Sequence, residues 1–134
     1  MTTRRDFGQH YLVDFLRCDP ETLRLVGPTR KIFLRAARES KATVVGEDFY
    51  QFDPEGVSGV LLIAESHFSV HTWPEDAFAA VDIFTCGEEM DAEVAIAVLT
   101  AAFRAEETVV RVHTRGRLQE TDVGKADVGE ADVG

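Results

Sequence analysis

The amino-acid sequence predicts an α+β fold, a two-layer α/β sandwich with a mainly antiparallel sheet and helices on one face. Three observations predict it. Helix-like and strand-like segments are mixed along one short chain. Several strand-like segments are joined by links too short for a parallel crossover, which implies antiparallel pairing. The helical segments carry apolar residues on one side, a stripe that needs a sheet face to cover it.

Taken in order, residues 1–7 form a loose arm. Residues 9–16, rich in Tyr, Leu, Val and Phe, predict a strand. Asp19-Pro20-Glu21 is a helix start, because Asp can cap and Pro suits the first helical position. Gly27-Pro28 interrupts that helix. A second start at Pro28 places Ile32, Phe33, Ala36 and Ala37 on one side and runs to about Ser40. Residues 43–52 are the next strand, and Asp53-Pro54-Glu55-Gly56 is a turn. A short buried strand is predicted over 59–64 and a half-exposed one over 67–73, ended by Pro74. Residues 79–85 form another strand around Asp82. Asp91 caps a helix to about Phe103, with Val94, Ala97, Val98 and Ala101 as its apolar stripe. Residues 108–113 are the last strand. The halves look like loose copies of one β-α-β plan, without a sequence repeat to prove it.

The chain of 134 residues suits one domain with a core of its own, here residues 1–120. Residues 121–134 read Thr-Asp-Val-Gly, Lys-Ala-Asp-Val-Gly, Glu-Ala-Asp-Val-Gly, a Gly-Asp-rich repeat too small to form a core, so a disordered tail without a chemical role is expected. The net charge is −10, the opposite of what a nucleic-acid partner requires. An acidic field favours cationic small molecules. Two distant cysteines, Cys18 and Cys86, make no disulfide framework and suggest a reduced, cytoplasmic setting. No signal peptide and no span of ~20 apolar residues is visible, so no membrane partner is expected.

Reactive side chains crowd into Glu65-Ser66-His67-Phe68-Ser69-Val70-His71-Thr72-Trp73-Pro74-Glu75, with Cys86 just beyond. His67 and His71 have the H-x3-H spacing of a helical metal site. On a strand they stand ~13 Å apart at ~3.3 Å per residue, too far for one ion. A Ser–His–acid triad is a second reading, though the G-x-S-x-G elbow is absent. A third reading makes these residues plain surface and Cys86 a small core residue.

Gly56-Val57-Ser58-Gly59, Glu65-Ser66-His67, His71-Thr72-Trp73-Pro74-Glu75 and Phe84-Thr85-Cys86-Gly87 resemble the signature of the prokaryotic S-adenosylmethionine decarboxylase proenzymes. Gly8-Gln9-His10, Cys18-Asp19 and Arg115-Gly116-Arg117 fit as well, so the resemblance spans about residues 7–120. It implies a self-processing enzyme without pyridoxal phosphate or metal. Ser66 would attack the carbonyl of Glu65, and the resulting ester would eliminate. Residues 1–65 and 66–134 would separate, the second chain blocked by a pyruvoyl group that forms a Schiff base with the substrate amine. The composition agrees: Lys31, Lys41 and Lys125 are the only lysines, and none lies in a recognisable cofactor motif.

The resemblance also implies residue roles. His71 accepts a proton in processing, a task suited to imidazole near neutral pH. Ser58 assists cleavage. Cys86 protonates the substrate carbon after decarboxylation; free thiols are largely protonated at neutral pH. Phe52 and Trp73 sandwich adenine, whose flat face suits aromatic rings, and Glu75 holds the ribose hydroxyls. His71, Trp73 and Glu75 share strand parity, whereas Ser66 has the opposite parity. Either a bulge between 66 and 71 or a place for Ser66 in the preceding turn would reconcile them. The resemblance further implies a homodimer with active sites at the interface.

Two departures stand beside the expected pocket. Glu55 replaces an aromatic residue, and Asp76-Ala77-Phe78 replaces Tyr-Gly-Tyr. The added acid keeps open pyruvoyl-dependent decarboxylation of a basic amino acid, ornithine or arginine. A non-catalytic regulatory homologue is the remaining alternative, against which Ser58, Ser66, His71 and Cys86 are all retained.

Overall fold

A computed structural model describes residues 7–86 and 89–116 of the chain. Residues 1–6 of the expected arm, Gly87 and Arg117 of the motifs, Lys125 and the whole 121–134 repeat lie outside the described residues.

Six strands and two helices follow one another as β1 (Gly8–Leu16), α1 (Val26–Glu39), β2 (Val44–Gln51), β3 (Val57–Ile63), β4 (Ser66–Trp73), β5 (Phe78–Thr85), α2 (Ala92–Phe103) and β6 (Glu107–Arg115). The strands form one sheet in the order β2-β3-β4-β5-β1-β6, with every neighbouring pair antiparallel. The short links make the hairpins β2-β3, β3-β4 and β4-β5. The helices carry the two long connections, β1 to β2 and β5 to β6. Each joins strands that run the same way but are not neighbours: β1 lies between β5 and β6, and three strands separate β1 from β2. The two halves thus share a β-α-β plan as connections, not as repeated sheets.

Alternation along the strands decides what faces the helices. Val13 and Phe15 of β1, Leu61 and Ile63 of β3, Phe68 and Val70 of β4, and Val81 and Ile83 of β5 are buried in one core with Phe33, Ala36 and Ala37 of α1 and Leu99 and Phe103 of α2. Phe33 stands edge-on to Phe68 at 6.4 Å and tilted against Phe103 at 6.1 Å, and Phe103 meets Phe15 at 5.4 Å. This ring cluster pins both helices to one face. Among the described residues, the other face carries no helix.

Local structure departs from expectation at four places. Asp19 caps only a one-turn 3-10 helix, Pro20–Thr22. Gly27 and Pro28 do not interrupt a helix; they lie in the first turn of α1, where a proline has no bond to lose. The strand over 59–64 is not a uniformly buried run but alternates, with Leu62 52% exposed, because only one sheet face is covered. The buried side of α2 is Ala92, Ala95, Val98, Leu99 and Phe103, while Ala97 and Ala101 are exposed. The helix is apolar nearly all round, so periodicity left its rotation undetermined and the bulky Leu99 and Phe103 set it.

Candidate active site

The bond between Glu65 and Ser66 lies at the tip of the β3-β4 hairpin. Ile63 pairs with Ser66, so Ala64 and Glu65 alone make the turn. Glu65 takes the left-handed conformation at φ 63°, a cost of about 1 kcal/mol for a side chain with a Cβ. Its carbonyl is held from across the sheet. Both the backbone N–H of Cys86, at 3.3 Å, and the Cys86 thiol donate to it. β5 ends at Thr85, the partner of Ser66, so Cys86 is the first residue past the strand and falls beside the turn. Two donors on one carbonyl are an arrangement able to stabilise negative charge on that oxygen.

Ser58 and His71 form a second constellation. They are cross-strand partners on β3 and β4, and Ser58 Oγ lies 2.8 Å from His71 Nδ1. A cavity of about 340 Å³ beside them is lined by Phe52, Glu55, Ser58, His71, Trp73 and Glu75. The expected proton acceptor, the assisting serine, both aromatic platforms and the ribose carboxylate therefore meet at one place. Glu75 reaches it from the one-turn 3-10 helix Pro74–Asp76 rather than from the strand. Thr72, buried on the other side of β4, anchors this end: its hydroxyl donates to the Leu23 carbonyl at 2.8 Å and accepts from the Val57 N–H at 2.9 Å.

Ser66 does not join that cavity. Neither expected remedy for its parity is present. Ser66 is the first residue of β4, not part of the turn, and the register from Ser66 to Trp73 runs without a bulge. It stands five positions from His71, ~16 Å along a strand, and alternation points the two to opposite faces. Ser66 lines a separate cavity with Glu65, residues 41–43 and Met90.

The departures from the signature gain a physical setting. Glu55 is engaged by Arg24, whose Nε lies 2.8 Å from Glu55 Oε1; the hydrogen bonds to Glu55 and Glu21 raise the pKa of the Arg24 guanidinium. Its charge is offset within the chain and not left for a substrate. Ala77 sits at φ 52°, where glycine is favoured, and Phe78 packs on Trp73 at 5.5 Å.

The two cysteines differ in environment. Cys18 is buried, and desolvation pushes its thiol up to about 11 from 9.0; Cys86 is exposed. A raised folded-state value leaves stability intact below pH 9.0 and lowers it as the pH climbs toward about 11. Iodoacetamide near neutral pH is expected to label Cys86 alone, read by peptide mass. Labelling of Cys18 in folded protein at that pH would refute this.

Among the described residues, no group of three His, Cys, Asp or Glu side chains is placed to hold a metal ion, and no helix is long and apolar enough to cross a membrane.

Fold and site together describe a two-layer α+β domain with a polar hairpin tip at Glu65-Ser66 and an aromatic pocket. Residues 9–116 match the profile of the family described as S-adenosylmethionine decarboxylase. The S-adenosylmethionine decarboxylase proenzyme of Pyrococcus abyssi is 44% identical over 115 residues, 86% of this chain and 82% of that protein. The proenzyme of Thermotoga petrophila is 43% identical over 119 residues, 89% of this chain and 92% of its own. The crystal structure of the adenosylmethionine decarboxylase from Aquifex aeolicus superimposes with a TM-score of 0.79 at 33% identity, covering 87% of this chain and 96% of that one. The chain belongs to the S-adenosylmethionine decarboxylase family.

Proposed function

We propose that the protein is a self-processing S-adenosylmethionine decarboxylase whose complete active site forms between two copies of the chain. One observation carries the proposal. Every reacting residue is present, but Glu65, Ser66 and Cys86 lie at one end of the sheet, while Ser58 and His71 lie at the other on the uncovered face. One copy cannot close that gap without dismantling β4.

A second copy spans that distance by symmetry, and Ser66, the first residue of β4, turns from the helix side toward the facing sheet when the site assembles. Consider a two-fold axis in the plane between two facing sheets, crossing the strands between Phe68 and Ser69. It lays β4 antiparallel on β4 and brings the Ser66 end of each copy over the His71 end of the other. Facing sheets pack ~10 Å apart, within reach of side chains from both. The uncovered face has apolar residues to bury: Leu12, Val60, Leu62 and Phe84 all have the parity of that face.

In the processing step, Ser66 Oγ bonds to the Glu65 carbonyl carbon and displaces the Ser66 nitrogen, so an amide becomes an ester. The Cys86 N–H and S–H stabilise the oxyanion that forms on the way. His71 of the second copy, oriented by Ser58, takes the Ser66 Cα proton as the ester eliminates. Residues 1–65 leave with a carboxylate at Glu65. Water converts the remaining dehydroalanine to pyruvoyl and ammonia. These residues fit the production of that group, which supplies an electron-accepting carbonyl for decarboxylation. Phe52 and Trp73 then hold adenine, Glu75 holds the ribose, and the Cys86 thiol returns a proton to the substrate carbon. The product is decarboxylated S-adenosylmethionine, the aminopropyl donor for spermidine. Convergence of Phe52, Trp73 and Glu75 in one cavity favours this substrate over ornithine or arginine, which have no adenosine to hold. The free thiol of Cys86 suits a reducing, cytoplasmic compartment.

Intact mass of the purified protein tests the reading. Two chains divided between Glu65 and Ser66, the second carrying pyruvoyl, are expected, with carbon dioxide released from S-adenosylmethionine and not from ornithine or arginine. A single uncut chain after long incubation would sink it.

A further inference from the structure

We propose that Gln51 is a positioning residue for substrate binding, whose amide fixes the loop that presents Phe52 to the pocket. The inference rests on the adenosyl reading above, because it takes Phe52 as a wall of the adenine site. Gln51 ends β2 and shares parity with Phe49 and Glu47 on the helix side of the sheet, where Glu47 pairs with Arg30. Its side chain faces away from the pocket and is not among the residues lining it.

The amide is occupied elsewhere. Gln51 Oε1 accepts from the Val26 N–H at 2.7 Å, at the start of α1. Gln51 Nε2 donates toward three carbonyl oxygens, those of Arg24 at 2.9 Å, Phe52 at 3.1 Å and Gly56 at 3.1 Å. Backbone bonds complete the knot. The Phe52 N–H donates to the Gly56 carbonyl at 2.8 Å, and the Gly56 N–H donates to the Arg24 carbonyl at 2.9 Å. Gly56, at φ 114°, lets the chain close this tightly. One side chain thus ties the entry to α1 to both ends of the 52–56 loop.

Phe52 needs this support. Phe52 is 46% exposed and, among the described residues, its ring meets one other, Tyr50 at 4.9 Å. Packing therefore does little to hold it, and the loop backbone sets its place. Gln51 is itself exposed, so water replaces the lost bonds when the amide is removed. The fold survives that loss. The loop gains freedom, and the ligand must then order it on binding.

The processed enzyme supplies the test, with kcat, KM for S-adenosylmethionine and the inhibition constant of 5′-methylthioadenosine measured for each variant. Gln51→Ala is expected to raise KM and the inhibition constant together, about fivefold, with kcat within about twofold, as one net hydrogen bond is worth. Gln51→Glu is expected to be worse than Gln51→Ala, because a carboxylate would face three carbonyl oxygens. Combining Gln51→Ala with Phe52→Ala is expected to cost little beyond Phe52→Ala alone, the signature of residues acting as a unit. If Gln51→Ala fails to fold, Gln51→Met, which keeps the length of the side chain and removes both amide atoms, is the second variant, with the same direction expected. Unchanged inhibition in the Gln51 variants beside a loss in Phe52→Ala overturns the proposal and leaves the adenosyl reading standing. Unchanged inhibition in Phe52→Ala overturns that reading and the proposal with it.

Discussion

Co-expressed Ser66→Ala and His71→Ala chains are expected to cleave the His71→Ala chain, although neither variant cleaves alone. Ser66→Ala lacks the nucleophile. His71→Ala lacks the base that removes the Cα proton, a contribution on the order of 10²–10⁴ in rate. In a mixed dimer, Ser66 and Cys86 of the His71→Ala chain meet Ser58 and His71 of the Ser66→Ala chain, so one of the two sites is intact. Random pairing at equal expression puts about half of the His71→Ala chains in mixed dimers, and that fraction is expected to appear as two fragments by mass. Decarboxylase activity should return in proportion. The opposite result is equally clear. If His71 acts on Ser66 of its own chain, mixing restores nothing. The prediction follows from ~16 Å of uninterrupted strand between the two residues, a separation that side-chain rotation cannot cross.

Cys86→Ala is expected to slow self-cleavage about 10²–10³-fold, the usual cost of one oxyanion donor. The thiol donates to the Glu65 carbonyl, and the Cys86 N–H donates to the same atom. Truncation to alanine removes the first donor and keeps the second, so cleavage slows without stopping. Cys86→Ser restores an O–H donor at the same place. It is expected to cleave near the wild-type rate yet turn over poorly, because a hydroxyl is a far weaker acid than a thiol. The two substitutions therefore separate the roles of Cys86 in processing and in catalysis, followed by fragment formation over time and by carbon dioxide release. If Cys86→Ser cleaves as slowly as Cys86→Ala, the donor role is wrong.

The residue types at the site were legible because the chemistry demands them at set places in the motifs. Cys86 falls just past a strand end as read, and Phe52, Trp73 and Glu75 line one cavity, although Ser66 opens β4 and Glu75 comes from a 3-10 turn and not from the strand. The arrangement among them was less legible. Parity showed that Ser66 and His71 disagree, but two local remedies seemed open, and the structure contains neither. Gln51 was missed because its work is done by bonds to backbone groups from three separate segments. A glutamine at the end of a strand carries no motif that reports them. Its place beside Phe52, at the end of β2 and next to a Pro-Glu-Gly turn, was the one available hint.

By itself the sequence determined the strand and helix content, the antiparallel pairing and the family. These depend on local periodicity, on link lengths too short for crossovers, and on a signature of contiguous motifs. The tertiary structure alone decided the strand order, the rotation of α2, the pairing of Glu55 with Arg24, and the division of the site into two halves. Each of these depends on which distant segments share a sheet face or an edge. That is a property of packing in three dimensions, and neighbouring residues along the chain do not encode it singly.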